Sequence, residues 1–148
     1  MHEFEQIEDA FILQLETLKT MGLETLSTYS GQMNIEDMEE LTIQFPCIYV
    51  VAAGLRIDGV NQYNKYYAEV TLIVGDRHIR GSAAAARGDA TSPGVYELLA
   101  SARGLLHRKK LLAGWAWPVV VNEAPLIFVP EKNICIYTAE YRMQAVKQ

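Results

Sequence analysis

The chain is poor in the features that most often give a function away. It has two cysteines in 148 residues, Cys47 and Cys135, and they do not form a CxxC pair. Both sit in apolar, strand-like runs, so buried free thiols are expected in place of a zinc site or a disulfide framework. Its three histidines, His2, His78 and His107, lack metal-ligand spacing. The spaced glycines and Lys-Ser/Thr pair of a phosphate loop are missing, as is a nucleophile elbow. A Ser82, His78, Asp76 triad would crowd three groups into one short stretch that holds triad geometry poorly. No catalytic residue, cofactor or metal is therefore expected, nor any hydrolase, transferase or metal-dependent activity.

Positive charge is scarce too. The formal net charge is −5, which argues against sequence-specific binding of nucleic acid through a basic footprint. The longest apolar run, Cys47 to Leu55, is far short of the ~20 residues of a membrane span. Glu3, Glu5, Glu8 and Asp9 rule out the basic start of a signal peptide. A soluble cytoplasmic protein, without membrane contact, is expected.

What is present suggests one α+β domain over 1–148. Phe4, Ile7, Phe11, Leu15 and Leu18 recur at helical spacing from His2 to Met21, and Gly22 ends the run. A short strand is expected within Leu23 to Tyr29. Asn34 caps a possible short helix, Ile35 to Leu41, with a solvated acidic face. Cys47 to Leu55 and Tyr66 to Gly75 read as an antiparallel pair joined through Arg56 to Lys65. Ser92-Pro93 starts an amphipathic helix over 93–112, closed by Arg108, Lys109 and Lys110. Pro125 interrupts a strand beginning at Val119, which points to an edge or a bulge. Leu126 to Val129 and Ile134 to Met143 flank the hairpin loop Pro130 to Asn133. The expected architecture is an antiparallel sheet of four to five strands with two main helices packed on it.

Between strand and helix, Asp76 to Ser92 shows no hydrophobic periodicity and reads as a long, flexible, exposed loop. It displays Arg77, Arg80, Arg87 and Asp89. Arginines there suit carboxylates on a neighbouring subunit or partner. Trp115 and Trp117 could anchor an interface or wedge under the C-terminal hairpin.

Four stretches together resemble a family of Mu-like phage and prophage proteins from the head-to-tail completion region. They are Ile7-Glu8-Asp9-Ala10; Phe45-Pro46 through Val50, Val51 and Gly54; Arg80-Gly81 through Ala84, Ala85, Arg87, Gly88 and Asp89; and Gly94, Tyr96, Leu98 and Leu99. The resemblance implies a tail-terminator-like fold and a structural, non-enzymatic role, a ring that caps the tail tube and offers the head a docking face. It implies a homohexameric ring of the 16.6 kDa chain, closed head to tail. The implied partners are copies of itself, the tail tube and the neck proteins, and the implied place is the virion tail. Arg77, Arg80, Arg87 and Asp89 become the expected protein-interface residues. The rival readings are another neck or adaptor ring protein and, more distantly, a small α+β enzyme.

Overall fold

The computed structural model describes residues 1–32, 43–60, 62–78, 81–89 and 93–147. The chain forms helix α1 (Glu3–Leu15), strands β1 (Thr25–Thr28), β2 (Cys47–Val60) and β3 (Tyr63–Arg77), helices α2 (Ser82–Arg87) and α3 (Gly94–Leu106), and strands β4 (Val119–Val129) and β5 (Ile134–Lys147). The five strands make one sheet in the order β1-β2-β3-β5-β4. The fold is α+β, with the helices on one face. Among the described residues no helix is long and apolar enough to cross a membrane.

The apolar spacing of the first segment becomes α1, where Ile7, Phe11 and Leu15 are buried. His2 caps it, Nδ1 accepting from Phe4 N–H at 3.0 Å. The last turn tightens into a 3-10 helix, Glu16–Met21, and Gly22 closes it at φ 99°. That left-handed cap favours glycine. The possible helix from Ile35 to Leu41 lies outside the described residues.

β1 pairs with β2 in parallel, Thr25 opposite Cys47 and Thr28 opposite Val50, so the sheet is mixed, not purely antiparallel. A parallel pair needs a long connection, and residues 29–46 supply it. β2 and β3 pair antiparallel from Cys47 opposite Gly75 to Val60 opposite Tyr63. Residues 56–60 and 63–65, expected as part of a connection, are therefore strand.

Alternation assigns each strand residue to a face. Ile48, Val50, Val70, Leu72, Val74, Cys135, Ala139, Tyr141 and Met143 join the core beneath the helices. Cys47, Tyr49, Ile73, Ile134 and Ile136 form a smaller cluster on the other face, with Tyr29, Ile43 and Phe45 packed on it. The remainder of that second face is polar and open.

The two cysteines are free and buried, and they lie on opposite faces of the sheet. Burial pushes the Cys47 thiol up to about 12 and the Cys135 thiol up to about 11, with the Asp76 carboxylate adding to both. The thiolate is the reactive form. Alkylation of native protein at pH 8 is therefore expected to leave both cysteines unmodified on a timescale that labels an unfolded control completely, as mass spectrometry would read. Rapid modification of either thiol in the folded chain would contradict this placement.

β4 runs unbroken from Val119 to Val129 at the sheet edge, with bulges between Val120 and Asn122 and between Pro125 and Ile127. Pro125 thus sits where a missing N–H costs least. Pro130–Lys132 forms a 3-10 turn, and Asn133 (φ 58°) completes the hairpin into β5. α3 is shorter than the 93–112 run. His107 turns extended, its Nδ1 accepts from Val120 N–H at 3.1 Å, and Arg108 N–H donates to Pro118 O at 2.8 Å. Arg108, Lys109 and Lys110 therefore follow the helix and do not close it.

Candidate subunit-contact site

The segment from the end of β3 to the start of α3 is where the sequence places its exposed arginines. Its described residues, 76–78 and 81–89, include the end of a strand and a short helix. Asp76 and Arg77 still pair with β5, opposite Cys135 and Ile134. His78 N–H donates to Asn133 O at 3.1 Å, and Gly81 N–H donates to His78 O at 2.9 Å. The alanine run then folds into α2, with Ala85 and Ala86 buried in the main core. Alanine is the strongest helix former, and its small side chain lets the helix backbone sit close to its neighbours. Hydrophobic periodicity cannot register this, because nothing large is buried.

Two further contacts hold the segment down. His78, 8% exposed, places Nε2 2.7 Å from Asp89 Oδ2, which ties the residues after α2 back to the strand before it. At the start of α3, Gly94 (φ 76°) lies directly against the backbone of Gly88.

The expected interface residues separate accordingly. Arg77 is exposed at the end of the second face, its guanidinium 5.3 Å from the centre of the Phe45 ring. Arg87 is exposed in the last turn of α2. Asp89 is exposed as well, but its carboxylate is paired with His78 and so helps to position the segment. Arg80 lies outside the described residues, as does the Ser92 cap. Arg77 and Arg87 are therefore both exposed, one at the end of β3 and the other at the end of α2.

Sequence reasoning passes over an aromatic group beside this frame. Tyr96, in the first turn of α3, meets Tyr137 of β5 edge to face with ring centres 5.5 Å apart. Phe128 of β4 meets the same ring at 5.9 Å. The two tyrosine hydroxyls lie 3.2 Å apart, and that hydrogen bond pushes the Tyr137 phenol up to about 12. Tyr96 and Phe128 are each 47% exposed. Only Tyr96 leaves a signal in the sequence, as part of the Gly-x-Tyr-x-Leu-Leu start of α3. The other two are joined to it by strand register alone. Next to them Arg103 of α3 grips Glu123 of β4 through Nε at 3.1 Å and Nη2 at 2.7 Å, a two-pronged geometry that fixes the helix against the edge strand.

The open part of the second sheet face forms a groove of about 530 Å³ lined by Gly54, Arg56, Tyr67, Glu69, Arg142 and Gln144 among others. Its charges are largely matched: Arg56 meets Asp58 at 3.3 Å and lies 4.3 Å over the Tyr67 ring, and Arg142 meets Glu69 at 3.8 Å. No histidine or cysteine lines it. Among the described residues no group of three or more His, Cys, Asp or Glu side chains could hold a metal ion. The arrangement suits recognition of a polar surface.

The same fold occurs in a chain of the "Virion of native gene transfer agent (GTA) particle", with a TM-score of 0.59 at 11% identity, covering 96% of each chain. No curated protein sequence shows significant similarity to this one. The family model described as "Bacteriophage Mu, Gp37" matches residues 3–145. The match spans nearly the whole chain, and the chain belongs to the bacteriophage Mu Gp37 family.

Proposed function

We propose that this protein is a structural component of a phage or prophage tail, a terminator that closes as a ring on the tail tube and presents a face to the head. The observation that carries the reading is end-to-end agreement. The family match runs over 3–145, and the fold is shared over 96% of its length with a chain of a virion particle. Neither match is confined to a grafted motif.

The surfaces described above are consistent with assembly. The edge strand β4 exposes Val119, Val121, Leu126 and Phe128, while Pro125 and the two bulges discourage indiscriminate strand addition. Contacts through side chains are left as the usable mode. Arg77, Arg80 and Arg87 would meet carboxylates of a neighbouring subunit or the tube end. In this reading the protein has no catalytic role. It acts in the host cytoplasm during assembly and remains in the tail.

The test is tail length. Replacing Arg77, Arg80 and Arg87 together with Glu is expected to give tails of irregular, extended length in electron micrographs of lysates, with no ring at their ends. Tails of normal length carrying a normal ring would remove these arginines from the mechanism. Normal tails made in the complete absence of this protein would sink the terminator reading. Complete tails that fail only to join heads would favour a neck or adaptor ring.

A further inference from the structure

Charge is distributed unevenly along the chain. Residues 1–40 carry ten acidic and one basic side chain, a formal −9, whereas residues 41–148 carry eight acidic and twelve basic ones, a formal +4. The fold converts part of this asymmetry into two distinct surfaces.

The first is the outer side of α1. Burial of Ile7, Phe11 and Leu15 fixes the inner side of the helix, so Glu5, Asp9 and Leu13, each four residues apart, share the outer one. Leu13 is 75% exposed. The acids that lean toward the protein are compensated: Glu8 accepts from Ala52 N–H at 3.0 Å, and Glu3 meets Lys147 at 3.7 Å. Glu5 and Asp9 take part in none of the ion pairs among the described residues. They repel one another across one helical turn, with an exposed leucine beside them.

The second surface is the segment between α3 and β4. It is pinned by the His107–Val120 and Arg108–Pro118 bonds and by Ala116 N–H donating to Gln144 O at 2.7 Å. Arg108, Lys109 and Lys110 are all exposed on it, and they too are absent from the ion pairs among the described residues. Trp117 beside them is 53% exposed. An exposed indole among uncompensated cations, on a backbone already held in place, has the composition of an interface hot spot with its ordering cost reduced.

We propose that these surfaces are the two halves of one contact between copies of this chain. The outer side of α1 in one copy seats on the 107–118 segment of the next, Leu13 against Trp117, with Glu5 and Asp9 facing Arg108, Lys109 and Lys110. The contact joins two different patches, so it propagates head to tail and can close a ring. It rests on the ring reading above and names the surfaces that build the ring. The charges set orientation and encounter rate, while the apolar pair supplies most of the hold.

The experiment is sedimentation velocity on the full chain at about 50 mM and about 500 mM salt. Wild-type protein is expected to associate in a concentration-dependent way, more weakly at the higher salt. Lys109→Glu/Lys110→Glu makes both surfaces acidic, and Glu5→Lys/Asp9→Lys makes both basic. Each variant alone is expected to lose association by roughly tenfold or more. Mixed together the two are expected to recover it, because every contact again joins opposite charges. Circular dichroism checks that both variants keep the wild-type fold. Wild-type-like association of either variant, or no recovery on mixing, would overturn the contact. So would a wild-type chain that stays monomeric at about 1 mM in low salt. Assembly that needs both patches but stops at two copies would keep the contact and overturn the ring.

Discussion

Replacing Gly94 with alanine is expected to destabilise the protein by about 3 kcal/mol or more, the sum of a strained backbone and a steric overlap. Gly94 opens α3 at φ 76°, a left-handed conformation that alanine adopts poorly. A Cβ at this position would also run into the Gly88 amide, and it would lie 2.7 Å from Gly88 Cα and 2.8 Å from the Arg87 carbonyl carbon. These are backbone atoms, with no side-chain rotation available to relieve the overlap. Gly104 provides the control within the same helix. Nothing lies within 4 Å of a Cβ built there, so Gly104→Ala is expected to stabilise by about 0.5–1 kcal/mol through helix propensity. Thermal unfolding would separate the pair, with Gly94→Ala lowering Tm by about 10 °C and Gly104→Ala raising it slightly. A Gly94→Ala protein as stable as wild type would mean that α2 and α3 do not meet in this way. The junction also bears on function. It fixes Arg87 and Asp89, so under the proposed terminator role the variant should fail at the tail end even where it still folds.

How much of this could be read from the sequence depends on what each residue faces. The core side of α1 and of the 3-10 turn after it was legible because Ile7, Phe11, Leu15 and Leu18 are large and regularly spaced, and all four are buried. The cores of β2 and β3 were legible for the same reason, and Pro125 correctly marked an edge strand with a bulge. The outer halves of those strands were not. Arg56, Asp58 and Lys65 belong to the open second face, where polar side chains in a strand look like a connection. The parallel pairing of β1 depends on where β2 starts relative to Thr25, a long-range fact without a local pattern.

The candidate site was half legible. The sequence pointed to a stretch rich in arginine and poor in bulk, and Arg77 and Arg87 do project from it. It gave no sign of α2, because Ala85 and Ala86 reach full burial without any hydrophobic period. Nor did it anticipate that Asp89 pairs with His78. The end of α3 was misplaced by the cations at 108–110. Cations suit a helix C-terminus, but here the bonds from Val120 and to Pro118 turn the chain first. Tertiary hydrogen bonds outweighed a weak local preference, and the cations were released to the surface.

The two tryptophans, separated by one residue, are expected to respond in opposite ways. Trp115 is 2% exposed and is the largest of the buried side chains, whereas Trp117 is 53% exposed. Trp115 meets Tyr66 edge to face at 6.3 Å, pairs with Ala145 in an isolated bridge, and lies 5.2 Å beneath the Lys147 ammonium. It joins the segment after α3 to the end of β5. Truncation to alanine would leave a cavity in the main core, and Trp115→Ala is expected to cost about 3–5 kcal/mol. Against a typical total of about 5–15 kcal/mol, that loss brings the chain near its unfolding threshold. Trp117→Ala removes no core contact and should change monomer stability by less than about 0.5 kcal/mol. Its effect should appear in association instead, where loss of a central aromatic anchor typically weakens binding by roughly thirtyfold. Chemical denaturation of the monomer and sedimentation of the assembly read the two effects separately. Iodide quenching of the single-tryptophan variants Trp115→Phe and Trp117→Phe checks the premise, because only the protein that retains Trp117 should be quenched strongly. Equal destabilisation by the two alanine substitutions would show that Trp117 is also part of the core, and it would remove the apolar anchor from the proposed contact between copies.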